Sequence, residues 1–197
     1  MSSNFPRKMS VKGILWQILK GFAVDTKQGG FPVVQVFKGI ALGTNTAIRA
    51  AVTLTTAVQK ITSSINNPDV PRALLVKGNQ SDVLGTVKIV GKNYAGESLV
   101  EEIVASGSGA ISGNKAFKSV DYILFPARTA TGQTISVGTT NKLGLCRPIS
   151  ESAVDDLTVD GTSENPAALD TTYHTVTPTT APNGSRKFVV YYRTDIF

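Results

Sequence analysis

Over residues 71–145 the sequence runs in short units. Apolar stretches at 73–76, 83–90, 99–104, 120–125 and 134–137 are separated by turn clusters at Gly78-Asn79, Gly91-Lys92-Asn93, Gly107-Ser108-Gly109, Gly113-Asn114 and Thr131-Gly132. Strand-length stretches punctuated by Gly and Asn predict a compact antiparallel β domain. Within the stretches the period is two. Val87, Ile89 and Gly91 oppose Lys88, Val90 and Lys92, while Leu99, Glu101, Ile103 and Ala105 oppose Val100, Glu102, Val104 and Ser106. This alternation turns one face to a core and the other to water, with Val90, Val100 and Val104 as apolar residues on the wet side. Two such sheets packed face to face bury their apolar sides without helices. The expected fold is all-β, an antiparallel β-sandwich of immunoglobulin-like type, although no Cys pair with a central Trp marks an antibody-type domain.

The flanking segments extend this pattern. Residues 31–42 have strand composition through Val33, Val34, Val36, Phe37 and Ile40. In 47–65, Val52, Leu54 and Thr56 alternate before Val58 and Ile61 shift phase, and the Thr content favours two short strands with a bend at 55–57. Asn66-Asn67-Pro68-Asp69-Val70-Pro71 is a rigid corner, since each proline fixes its own φ and extends its predecessor. Residues 150–183 are rich in Ser, Thr, Asp, Asn and Pro and read as a long excursion with room for one hairpin. Pro182-Asn183-Gly184 is a turn, and RKFVVYYRT at 186–194 is a strong strand that returns to the sandwich.

Residues 1–30 stand apart. Val11, Ile14, Leu15, Ile18, Leu19 and Phe22 recur at helical spacing, with Lys12, Gly13, Gln17 and Lys20 opposite and Trp16 at the border. A helix this short is marginal alone in water and needs a partner surface. The predicted organisation is a basic arm with a short amphipathic helix at 1–30, then a sandwich over 31–197 carrying an acidic excursion at 150–185.

The formal net charge of +6 is unevenly spread. Asp25 is the only acid in residues 1–60, whereas 150–185 hold Glu151, Asp155, Asp156, Asp160, Glu164 and Asp170 with no Lys or Arg. One end is thus suited to an acidic surface, whether nucleic acid, a neighbouring protein or another copy's acidic segment. A chain of 197 residues can bury about 70% of its unfolded surface without staples. Cys146 is the only cysteine, and beside Leu143, Leu145 and Ile149 it reads as a small buried hydrophobe. No stretch approaches the roughly 20 apolar residues of a membrane span, and residues 14–19 lack a convincing cleavage site for a secretory signal. The expected place of synthesis and folding is a cytoplasm.

Catalysis finds no support in the composition. A Ser-His-Asp triad would have to use His174, the only histidine, and there is no GxSxG elbow. In TYHTV, His174 reads as an exposed strand residue. One His and one Cys rule out His/Cys metal sites. The Asp156–Gly161 stretch DLTVDG opens like a calcium loop, but Ala167 stands where the bidentate acid belongs, so a hairpin turn at Asp160-Gly161 explains it better. The glycines of 91–96 and 107–113 form no Walker pattern. Phe188, Tyr191, Tyr192 and Arg193 fit a core strand as well as a nucleic-acid surface. No cofactor is expected.

Finally, NPDVPRALLVKGNQ, VKIVGKNYAGESLVEEI, GNKAFKSVDYILFPARTATGQTISVG and NKLGL together resemble a group of tailed-bacteriophage virion proteins from head and neck structural genes. The likeness covers about residues 66–145 and centres on Asn93-Tyr94-Ala95-Gly96-Glu97, Lys115-Ala116-Phe117 and Pro126-Ala127-Arg128. It implies a β-sandwich structural protein of the virion, one that decorates or cements a capsid. Its expected partners are the major capsid protein and copies of itself, with no small-molecule substrate and no membrane. The candidate clamp is Arg7, Lys8, Val11, Lys12, Ile14, Leu15, Trp16, Ile18, Leu19, Lys20 and Phe22, its apolar stripe buried on a partner and its bases meeting acids. A neck or tail-tube component would instead form rings and line a DNA channel. A host- or carbohydrate-binding surface module would require exposed Trp or Tyr clusters.

Overall fold

A computed structural model describes residues 31–149 and 154–194. In chain order its strands are β1 (Phe31–Lys38), β2 (Arg49–Thr53), β3 (Gln59–Ile61), β4 (Arg72–Gly78), β5 (Leu84–Lys92), β6 (Ser98–Ser106), β7 (Ala110–Phe117), β8 (Ser119–Phe125), β9 (Thr134–Gly144), β10 (Val154–Val159), β11 (Thr162–Glu164), β12 (Ala168–Asp170), β13 (Thr175–Thr177) and β14 (Lys187–Thr194). Among the described residues there is no helix, and every strand pair is antiparallel. The candidate clamp, Arg7 through Phe22, lies outside the described residues.

Strand β9 organises the rest. One side of it pairs with β4; the other pairs with β2 at its start and with β13 at its end. The central sheet therefore runs β12-β13-β9-β4-β7 with β2 beside β9, flanked by a sheet β1-β14-β10-β11 and a sheet β3-β8-β5-β6. Because β9 is long, its two halves serve different cores. Ile135 and Val137 join Leu74, Val76 and Phe117 against Val87, Ile89, Ile103, Ile123 and Phe125. Leu143 joins Val176 against Phe37, Leu157, Phe188, Val190 and Tyr192. Each large side chain so buried stabilises the fold by about 1.5–3 kcal/mol relative to exposure.

The alternation anticipated in β5 and β6 holds. Val87, Ile89, Ile103 and Ala105 are buried, whereas Glu102 and Val104 are exposed. Residues 47–65 form β2 and β3 with a bend between them, where the Thr55 hydroxyl donates to the Ala57 carbonyl at 2.9 Å.

Two expectations fail, for physical reasons. Gly113-Asn114 is not a turn; it lies inside β7 as a bulge. Opposite β4 the register passes from Ala73↔Ala116 to Leu75↔Ser112, so β7 carries extra residues there. The bulge takes the amides of Asn114 and Lys115 off the ladder, and both donate to Glu101 Oε1, at 2.6 and 3.1 Å. A buried carboxylate from β6 thereby caps an irregularity in β7.

Nor are the described residues of this stretch, 154–185, an irregular excursion with one hairpin. They contain two hairpins, β10–β11 and β12–β13, with β10 paired to β14 and β13 paired to β9. A strand with one wet face needs few apolar residues. Leu157 and Val159 suffice for β10, and Val176 is the large apolar contribution of β13. The Asp160-Gly161 turn is present, with φ of 51° and 88°, the positive pair a tight two-residue hairpin requires.

Candidate functional site

Where the β5–β6 hairpin, β7, the end of β9 and the β12–β13 hairpin converge, they leave a cleft of about 490 Å3. Its floor is the backbone from Gly144 to Pro148, and that floor is held from several sides. Gly144 N donates to Pro71 O at 2.7 Å and Leu145 N to His174 O at 2.8 Å. Cys146 N donates to Gln35 Oε1 at 2.7 Å, while Gln35 Nε2 donates to Gly144 O at 3.1 Å. Arg147 N donates to the Tyr192 hydroxyl at 3.1 Å, and Ile149 N to His174 Nδ1 at 3.3 Å. Gln35 and Tyr192 belong to the flanking sheet, so the floor is a seam between two sheets. Gly144 has to be glycine, since a Cβ there would collide with Ala116 Cβ and stand 3.3 Å from Pro71.

Both walls carry tyrosines on stiff turns. Tyr94 follows Asn93, whose amide side chain closes the β5–β6 hairpin: Oδ1 accepts Glu97 N at 3.0 Å and Nδ2 donates to Glu97 Oε2 at 2.8 Å. Gly96 sits at φ 83° in the left-handed position such a loop needs. On the other wall, Asp170 Oδ1 accepts the amides of Thr172 and Tyr173, each at 3.0 Å. Tyr94 is 46% exposed and Tyr173 38%, and Lys118 Nζ lies 5.5 Å from the Tyr94 ring centroid.

Three residues meet at this seam, two of which, Cys146 and His174, the sequence placed differently. Cys146 is half-buried rather than enclosed; it lines the cleft with Sγ 3.4 Å from the Tyr192 hydroxyl. His174 is a half-buried turn residue at φ 52°, not an exposed strand residue. Its Nδ1 accepts an amide, so the proton of the neutral ring is on Nε2. Tyr192 is buried, and that burial, with the Cys146 contact adding to it, pushes its phenol above the ordinary tyrosine value; the Arg147 amide opposes the shift.

The described acids of 154–185 are engaged locally. Asp156 Oδ1 accepts from Ser163 Oγ at 2.6 Å, and Asp160 Oδ1 accepts Lys187 N at 2.8 Å. Among the described residues no group of three or more His, Cys, Asp or Glu is placed to hold a metal ion. No helix among them is long and apolar enough to cross a membrane.

The signal that could have found the cleft was the pair of turn tyrosines, Tyr94 in NYAGE and Tyr173 in DTTYH; a search weighted towards tryptophan passes over them. No protein-family model matches the chain, no curated protein matches it, and no solved structure matches it.

Proposed function

We propose that this chain is a non-enzymatic structural protein of a phage virion, a decoration or cement protein that stabilises the head by docking onto capsid subunits. The observation that carries the reading is strand β1. It pairs with β14 over its whole length, and its other edge has no strand partner among the described residues. It also exposes Phe31 at 60%, Val34 at 57% and Val36 at 47%, the last two on the outer face with Tyr191 opposite Val34. A long edge strand with outward valines is a template for pairing unless charge, proline or a cover blunts it. Here Pro32 and Lys38 stand only near the ends.

A neighbour's strand added at this edge would take backbone hydrogen bonds for affinity and alternate side chains for specificity. Lys38 faces Lys187 across the pair, giving one end of the edge a cationic rim suited to an acidic partner. The basic residues from Arg7 to Lys20 precede this strand in sequence and would extend the same interaction. With this function goes the finer fold reading, an immunoglobulin-like sandwich built on the first core. The protein is made in the host cytoplasm and resides in the virion. Its partners are the major capsid protein and its own copies, with no membrane, no small-molecule substrate, and nucleic acid only if it lines a tail channel.

The test is binding to purified undecorated heads, scored by sedimentation and by the heat resistance of the shell. It compares full-length protein, a version lacking residues 1–30, and V34K/V36K. Saturable binding that strengthens the shell and is lost in V34K/V36K is the expected result. Rings formed in solution with no head binding by any version would sink the cement reading and move the protein to the neck or tail tube.

A further inference from the structure

The two exposed tyrosines face a cleft whose floor has no backbone donor to offer. The amides of Gly144, Leu145, Cys146, Arg147 and Ile149 are all bonded within the chain. A peptide strand entering here would find no free ladder to join, so recognition has to come from side chains. Those available are two aromatic rings held on rigid turns, which present large amphipathic faces at low entropic cost, and the guanidinium of Arg147. That guanidinium makes no hydrogen bond or ion pair among the described residues. Lys115 and Lys118 add positive charge, although Lys115 Nζ also donates to Val100 O at 2.8 Å. The one carboxylate in the lining, Glu97, is engaged by Asn93. The volume of about 490 Å3 lies within the range of small-ligand sites.

We propose that this cleft is a glycan-binding site selective for an acidic sugar. The apolar faces of the ring lie against Tyr94 and Tyr173, and its carboxylate pairs with Arg147. A guanidinium fork matches a carboxylate in two parallel hydrogen bonds, which fixes orientation as well as charge. The floor does not move to admit the ligand, because the seam hydrogen bonds from Gln35 and Tyr192 already hold it, so little ordering cost falls on binding. This site is separate from the β1 edge, and neither proposal depends on the other.

The experiment is a titration of the full-length, 15N-labelled protein with galacturonic acid, glucuronic acid and N-acetylneuraminic acid, with galactose and inorganic phosphate as comparators. The expected result is saturable shift changes confined to residues 93–97, 144–148 and 172–174 for at least one acidic sugar. Galactose binds about tenfold more weakly, the loss of one charge-assisted pair, and phosphate gives no such pattern. Y94A and Y173A, both at exposed turns, each weaken binding while the rest of the spectrum is unchanged. R147Q brings the acidic sugar down to the level of galactose. Failure of all three acidic sugars, an equal response to phosphate, or shifts spread over the basic surface would overturn the proposal.

Discussion

The cap on the β7 bulge lends itself to a quantitative test. Glu101 Oε1 accepts two amides, and its Oε2 is buried without a partner. Two hydrogen bonds to a charged acceptor set a gross contribution of about 3–6 kcal/mol. Desolvation of the carboxylate takes back part of it, so E101A is expected to cost about 2–4 kcal/mol. E101Q keeps one acceptor oxygen but loses the charge and sets an NH2 without a partner where Oε2 is buried, so it should cost about 2–3 kcal/mol. Gly113 tests the same contact from the other side. A Cβ at that position would collide with Glu101 Oε2 and stand 2.7 Å from Cδ, so alanine has to expel the carboxylate.

G113A should therefore cost about as much as E101A, because it breaks the same two bonds. Once Glu101 is alanine the space is open, and adding G113A should cost under about 1 kcal/mol. The assay is a double-mutant cycle by urea unfolding, with the slope checked for constancy across the four proteins. The expected coupling is about 2–3 kcal/mol, the double mutant being more stable than the sum of the singles predicts. Additivity to within about 0.5 kcal/mol would refute the account, since it would mean that Gly113 and the carboxylate do not share the space assigned to them.

Other perturbations read other parts of the fold. In the folded chain the buried Tyr192 phenol keeps its proton to higher pH than in the unfolded chain, so stability falls as pH rises past the ordinary tyrosine value near 10, by up to about 1.4 kcal/mol per unit from this group. Y192F should flatten that alkaline decline and cost about 1 kcal/mol at neutral pH for the lost Arg147 contact, both measured by denaturation across pH. Arg72 is buried with Nη2 2.9 Å from Ala41 O, Nη1 3.4 Å from Thr139 Oγ1 and an ion pair to Asp69 at 3.3 Å; burial lowers its pKa and Asp69 opposes that shift. R72A should cost about 3–5 kcal/mol and R72M clearly less, because both remove the guanidinium but only methionine fills the space it leaves; equal costs in thermal melts would show that the lost packing is not what matters. At Gly138 an added Cβ would collide with Thr44 O and stand 2.6 Å from Asn45 Cα, so G138A should cost about 3 kcal/mol or more, read as a fall in urea midpoint.

What the sequence disclosed was whatever a single strand discloses about itself. β5 and β6 were legible because each alternates over nine residues, and β2 and β3 because the change of phase by Ile61 marks a break after Thr56. β7 was misread because Gly113-Asn114 is a turn signal locally. What keeps it in a strand is the Glu101 carboxylate, thirteen positions before Asn114; the alternation of β6 turned that side chain inward, but nothing in the sequence set it against β7. The β11, β12 and β13 strands are three residues each, too short for any periodicity to show. The cleft was invisible for a related reason. Tyr94, Arg147 and Tyr173 lie in three unrelated loops, and only the convergence of two hairpins on the end of β9 brings them around one space.

The β1 edge and the cleft, separate as sites, are coupled through one residue. Along β1, Val34 and Val36 face outward, and between them Gln35 faces inward to hold both Gly144 O and Cys146 N. A one-residue slip of a strand exchanges its faces. Slipped, β1 would set a valine against two buried backbone groups and turn the glutamine outward. Gln35 therefore fixes the register of the edge strand as well as the cleft floor. The same amide that occupies the Cys146 donor of the floor also decides which apolar residues the edge presents. If the β1 edge docks as proposed, the partner-facing pattern is set from the inside, by the inward amide of Gln35.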